Sequence, residues 1–186
     1  NWFEHNAEKT WWGGFRLIVR QLLAKSGISP SEIDGVGCST IHPCMLPTDE
    51  NGNTLRNAIL YGIDTRTKQE IKEIMQLLGE DESSTTGQRP ALSTDSVPPK
   101  ILWLKKNEPE IFARTRRVFQ GTSYIIFKLT GQHVLDFMQA ASHFPLYNQE
   151  KKEWDTEMCR LLGISPQILP ELKNCYDIAG IVTAEA

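Results

Sequence analysis

Between Trp11 and Leu23 the apolar residues Trp11, Phe15, Ile18, Val19, Leu22 and Leu23 recur at intervals of three and four, a spacing that an α-helix turns onto one face. Asn6 is suited to cap that helix and Gly27 to end it. Past the Ser29-Pro30-Ser31 turn the period changes, and residues 33–39 read as a buried strand. Residues 45–48 then pair with residues 54–60 across the turn formers Asp49, Glu50, Asn51, Gly52 and Asn53. A helix that must bury one face, followed directly by a strand and a hairpin, restricts the chain to an α/β layered arrangement.

The remainder continues that alternation. Asp64 or Thr65 opens a second helix carrying Ile71, Ile74, Met75 and Leu78 on one face and ending at Gly79. Residues 80–96 lose periodicity and gather Ser, Thr, Gly and Pro, which reads as a long surface loop. Pro98 and Pro99 start a helix with Ile101, Leu102 and Leu104, and Pro109 interrupts it before Ile111 and Phe112. A short strand near Val118 and Phe119, a helix over 123–129 and a helix after Trp154 follow. Neither an internal repeat nor a low-complexity tract interrupts the order.

With 186 residues, 40% hydrophobic and 23% charged, the chain has the material for one sizeable core, and a single domain is expected. A net charge of -3 argues against a nucleic-acid partner, because phosphate binding needs clustered cations. Lys105-Lys106 and Arg114 with Arg116-Arg117 read instead as solvated helix faces or ends. No apolar run reaches the ~20 residues of a membrane span and no signal segment opens the chain, so a soluble, cytoplasmic location is expected. Cys38, Cys44, Cys159 and Cys175 lack CxxC spacing and read as buried free thiols; His5, His42, His133 and His143 lack helical pairing, so no metal cluster is predicted.

One carboxylate stands apart. Asp136 is set into the apolar run Val134-Leu135-Asp136-Phe137-Met138, after the helix-terminating Thr130-Gly131 and before Ala140-Ala141-Ser142. Taken alone, such an aspartate is most often a cap or a turn residue. Tyr61 and Asp64 likewise read on their own as a half-buried strand aromatic and a helix cap.

The order of several short segments resembles the FGGY carbohydrate kinases over nearly the whole chain. Trp2-Phe3-Glu4-His5-Asn6 with Trp11-Trp12 is similar to the stretch before that family's first helix, and Ile33-Asp34-Gly35-Val36-Gly37-Cys38-Ser39 to its core strand. Asn57-Ala58-Ile59-Leu60-Tyr61 with Asp64-Thr65-Arg66 resembles its Asp-x-Arg element, and Pro99-Lys100-Ile101-Leu102-Trp103-Leu104 its Pro-Lys-Leu-Leu-Trp helix. Leu129-Thr130-Gly131, Asp136, Ala140-Ala141-Ser142 and Trp154 complete the set in the expected order.

The resemblance implies a ribonuclease H-like, actin-like ATPase domain, a mixed sheet flanked by helices. It implies ATP-dependent phosphorylation of a sugar or polyol, with a ketopentose such as D-xylulose first and gluconate, ribulose, erythritol or glycerol as alternatives. Asp136 would be the general base, with His42, Tyr61, Asp64 and Asp136 lining the sugar site; a polyol's hydroxyls and C–H faces suit those side-chain types. The family's Asp-Gly-Thr phosphate loop and second ATPase domain are expected outside residues 1–186, and ATP and Mg2+ would be bound mainly there. The partners implied are the small-molecule sugar and that second domain, and a homodimer is compatible. Thr40-Ile41-His42-Pro43 replaces the Gly-Gln-Met-His turn of many xylulokinases, displacing the histidine by one position, and Asp95 or Ser96 falls where glycerol kinases place a tyrosine. With the substituted pocket and no phosphate loop in the sequence, a noncatalytic carbohydrate-binding or regulatory module of the same fold is the reading from another class.

Overall fold

The computed structural model describes residues 1–79 and 91–186, so most of the loop expected over 80–96 lies outside the described residues. Strand β1 (Glu4–His5) pairs antiparallel with β3 (Ala58–Ile59), and β2 (Leu46–Thr48) pairs antiparallel with β4 (Arg117–Phe119). Antiparallel bridges Met45 to Ile59 and Thr48 to Thr54 tie β2 to the chain around β3, as the expected hairpin requires. The Asp49 carboxylate holds the connecting turn by accepting the Asn51 and Asn53 N–H groups, both at 2.9 Å.

Strand alternation divides the core in two. Met45, Ile59 and Val118 face one side, where they meet Ile101, Trp103 and Leu104 of α3 (Val97–Asn107) and Leu162 of α7 (Thr156–Leu162). Their neighbours Leu46, Ala58 and Phe119 face the other, against Trp11, Trp12 and the Tyr124 and Ile125 side chains of α5 (Gly121–Thr130). Helices therefore cover both faces of the strands, the layered arrangement expected from the sequence. A second element of pairing, β5 (Val134–Asp136) parallel to β8 (Glu171–Lys173), makes the strand content mixed, and β6 (Tyr147–Asn148) pairs with β7 (Glu153–Trp154).

The helix boundaries mostly obey local chemistry. Asn6 accepts the Lys9 N–H at 2.9 Å and starts a π-helical turn, Ala7–Trp12, that runs into α1 (Gly13–Ser26); Gly27 ends α1 at φ 70° and donates to Leu23 O. Helix α2 (Lys68–Leu77) begins later than Asp64 or Thr65, because the Asp64 carboxylate is already occupied by Arg66 and the Phe3 N–H. Proline at the first turns sets the starts of α3 and of α4 (Pro109–Arg114).

Two expectations are corrected. Residues 33–39 form no strand and are mostly exposed, since no described backbone lies alongside to complete a ladder. Ile33 and Val36 line, with Ile178, Ile181 and Val182, an open groove of about 720 Å³. Helix α1 has the predicted periodicity, yet Leu17, Ile18 and Leu22 are 57%, 58% and 61% exposed, so part of its apolar face meets solvent while Phe15 packs on the core. Of the cysteines, all free, Cys44 and Cys159 are buried as expected, Cys38 partly so, and Cys175 is exposed.

Candidate functional site

The site is organised by a lysine inside the protein. Lys100, in the first turn of α3, is fully buried, and its ammonium donates to Thr94 O at 2.6 Å and Ser96 O at 2.9 Å. Burial lowers its pKa to about 8, with Cys44, Asp95 and Asp64 opposing the shift, so it stays mainly charged at neutral pH. A buried ammonium survives only where strong acceptors replace its water, and two backbone carbonyls do so here.

Those carbonyls belong to the turn that carries Asp95. Asp95 Oδ1 accepts the Gly62 N–H at 2.7 Å, and Thr94 Oγ1 donates to Gly62 O at 3.0 Å, clamping the turn against the loop after β3. Glycine at 62 leaves room for this contact: a Cβ there would stand 2.7 Å from Asp95 Oδ1, and the carboxylate would have to shift. Asp95 itself is exposed.

His42 approaches from the neighbouring loop. Partial burial lowers its pKa, against the pull of Asp136 and Asp95 and with repulsion from Lys100, so that all three charges act on one imidazole. Its Nδ1 meets Oε1 of the buried Gln120 at 2.5 Å. Gln120 Nε2 in turn donates to Ser142 Oγ at 3.2 Å and Gln139 O at 3.4 Å. Gly121 permits this approach, since a Cβ there would lie 2.3 Å from Thr40 Oγ1.

Asp136 ends β5 and is the N-cap of α6 (Phe137–Ala140). Oδ1 accepts the Gln139 backbone N–H at 2.9 Å and Oδ2 accepts Gln139 Nε2 at 2.6 Å. Through Gln139, the carboxylate is linked to the same network that holds Gln120. His143, next along the chain, is wholly buried against Trp154, with ring centroids 5.2 Å apart, and burial drives its pKa down to about 3.

Of the four residues expected at a sugar site, His42 and Asp136 come together, and Tyr61 sits half-buried at the foot of the Gly62 loop. Asp64 is elsewhere in role. Its side chain is fully buried, Oδ2 accepts the Phe3 N–H at 2.7 Å and Arg66 Nη2 at 2.7 Å, and Oδ1 accepts Arg66 Nε at 2.9 Å. Burial opposes ionisation of Asp64, yet the hydrogen bonds from Arg66 and Phe3 outweigh it and hold the pKa below the usual value. Such a carboxylate has no free face for a ligand. Gln120 and the role of Lys100 are not foreseen: a lone amide after a strand carries no motif, and the Pro-Lys-Leu-Leu-Trp helix gives no sign that the 94 and 96 carbonyls surround the lysine.

The model of the FGGY family of carbohydrate kinases, N-terminal domain, matches residues 1–186. The chain belongs to the FGGY family of carbohydrate kinases. A glycerol kinase from Thermococcus gammatolerans is 31% identical over 99% of this FGGY domain and 37% of its own length. A xylulose kinase from Bacillus subtilis is 31% identical over 87% of the domain and 32% of its own length. The crystal structure of a xylulose kinase from Rhodospirillum rubrum superimposes with a TM-score of 0.83 at 25% identity, covering all of the domain and 37% of that chain. These neighbours share the actin-like ATPase, ribonuclease H-like fold. The FGGY domain thus spans well under half the length of the relatives it matches.

Proposed function

We propose that this chain is the acceptor-binding part of an ATP-dependent sugar or polyol kinase, and that the hydroxyl-bearing substrate sits against His42, Asp95 and Tyr61. The observation that supports it is the convergence of His42, Asp95, Asp136 and Lys100 in a member of a carbohydrate kinase family. Imidazole and carboxylate accept hydroxyl hydrogen bonds, and an aromatic ring offers a wall to C–H groups, which is the chemistry of polyol recognition.

A ketopentose such as D-xylulose is the first candidate, supported by the superposition on a xylulose kinase. Glycerol is the second, because glycerol kinases match along 99% of the chain. Phosphoryl transfer demands positioning and charge stabilisation more than covalent chemistry. His42 and Asp95 would fix the acceptor while the charge of Lys100 holds the Asp95 turn against Gly62. Nucleotide and magnesium would be held by parts of the protein outside these residues. Among the described residues no group of three His, Cys, Asp or Glu side chains is placed to hold a metal ion. Magnesium, carried with the nucleotide, would supply charge neutralisation on the phosphates.

Asp136, expected as the general base, has the geometry of a cap, with each oxygen already bonded to Gln139. We therefore give it a positioning role, holding Gln139 and with it Ser142 and Gln120.

The test is ADP release by the full-length protein against ketopentoses, polyols and aldonates. Turnover on one of these acceptors, lost in Asp95→Ala through a raised KM, is the expected result. Sugar binding without ADP release on any acceptor would overturn the kinase reading and leave a noncatalytic carbohydrate-binding module.

A further inference from the structure

We propose that Gln120 is a positioning residue that locks His42 in the tautomer with hydrogen on Nδ1, leaving Nε2 as a bare acceptor for a hydroxyl of the bound substrate. The inference rests on the sugar-site reading for the identity of the ligand, but the tautomer itself follows from the hydrogen bonds alone.

The argument begins at Ser142. Its hydroxyl donates to Gln139 O at 2.7 Å, so its oxygen is left to accept. Gln120 Nε2 lies 3.2 Å from that oxygen and 3.4 Å from the Gln139 carbonyl. If the Gln120 amide were turned over, its oxygen would face a carbonyl oxygen, and two acceptors repel. The NH2 end must therefore point to Ser142 and Gln139, and the amide oxygen must point to His42. An amide oxygen only accepts, so Nδ1 of His42, 2.5 Å away, has to carry the hydrogen.

Gln120 is able to impose this because it is itself immobile. It is 1% exposed, and its backbone N–H donates to Ser123 Oγ at 2.9 Å at the start of α5. The Gln139 end is fixed in turn by Asp136. His42, by contrast, keeps an exposed surface, and among the described residues its Nε2 has no partner. Partial burial and Lys100 keep the ring from protonating, while Asp136 and Asp95 act the other way. A neutral ring with hydrogen on Nδ1 has one remaining polar function, a lone pair on Nε2. That lone pair selects a ligand group that donates, such as a sugar hydroxyl, over one that only accepts, such as an ether oxygen. The same reasoning explains why an amide stands at position 120: a hydroxyl or ammonium there could donate to Nδ1 and release the opposite tautomer.

The experiment is a two-bond proton–nitrogen correlation spectrum of the full-length protein labelled with 15N-histidine, with His42 assigned by its loss in His42→Asn. Gln120→Met removes the acceptor and Gln120→Glu keeps it. The expected result is a hydrogen on Nδ1 in the unsubstituted protein and in Gln120→Glu, and a ring that reverts to Nε2–H or a mixture in Gln120→Met. With that reversal the sugar KM rises roughly 10-fold, the loss of about one hydrogen bond, while kcat changes less. An Nε2–H ring in the unsubstituted protein, or an unchanged ring in Gln120→Met, overturns the proposal. A switch of tautomer with no change in KM also overturns it, because Nε2 would then not receive the substrate. If no acceptor is phosphorylated at all while the ring behaves as described, the tautomer lock stands and the kinase reading falls.

Discussion

Arg66 shows how a single side chain can change role between sequence and structure. In sequence, Asp64-Thr65-Arg66 reads as a helix start with a polar contact to offer a ligand. In the fold, the Arg66 guanidinium lies 4.5 Å from the Trp2 ring centroid and 4.8 Å from that of Trp103, with Asp64 and Glu4 completing its hydrogen bonds. Glu4 also pairs with Arg56, and Arg56 with Glu108, so one ion network ties the amino-terminal strand to α3 and α4. Apart from Asp64, the ion partners are more than fifty residues apart in sequence, which is why local spacing does not reveal them. Removing one partner of a buried pair leaves the other charge uncompensated. Asp64→Ala is expected to cost about 3 kcal/mol, the low end for a broken buried ion pair because Glu4 remains. Urea unfolding of the variant measures it, and a loss below about 1 kcal/mol would mean that Glu4 alone satisfies Arg66.

Elements were legible where their signals are local and opaque where they depend on a neighbour. The Asn6 cap, the Gly27 and Gly131 stops and the Pro-initiated α3 and α4 follow from backbone chemistry within a few residues. The face that a helix buries does not. The periodicity of α1 identifies an apolar stripe, but Ile18 and Leu22 lie open because nothing among the described residues packs on them. For the same reason residues 33–39 have a strand's composition without a strand's hydrogen bonds. The Asp136 segment lies between these cases. Its position before a small-residue run is readable, and so is the cap alternative, whereas the pair of hydrogen bonds from Gln139 depends on the folded side-chain geometry. Asp136→Ala is expected to destabilise by about 1 kcal/mol through the lost cap of α6. In a kinase assay the same change is expected to lower kcat less than about tenfold, whereas loss of a positioned base costs at least about 10²-fold. Measuring kcat together with the thermal midpoint separates the two, and a drop of that larger size without destabilisation would restore Asp136 as the base.

At the scale of the whole molecule, acid should loosen the fold through its histidines rather than through its carboxylates, most strongly through the two most deeply buried, His133 and His143, with His42 acting in the same direction. His133 bridges parts of the structure that are separate in sequence. Its Nε2 donates to Val118 O at 3.0 Å and its ring lies 4.5 Å from that of Phe119, joining β4 to the start of β5. Burial lowers its pKa to about 4, an effect that Arg117 reinforces, and burial lowers that of His143 to about 3. Each therefore binds its proton less readily folded than unfolded, where the ordinary value is about 6.5. Between those values the unfolded chain takes up more protons, so stability is fully present above about pH 6.5 and declines as the pH falls towards 4. For His133 a shift of this size corresponds to about 3 kcal/mol once the descent is complete. Carboxylates such as Asp64, whose folded pKa is lowered, withdraw their contribution only below the ordinary aspartate range, so the higher window belongs to the histidines. Urea midpoints of the protein between pH 7 and 4 should fall steadily, and in His133→Gln, which cannot titrate, the slope should flatten by no more than about half, since His143 and His42 remain. An unaltered slope in that variant would show that His133 binds its proton equally in the folded and unfolded states, and that the acid sensitivity comes from elsewhere in the fold.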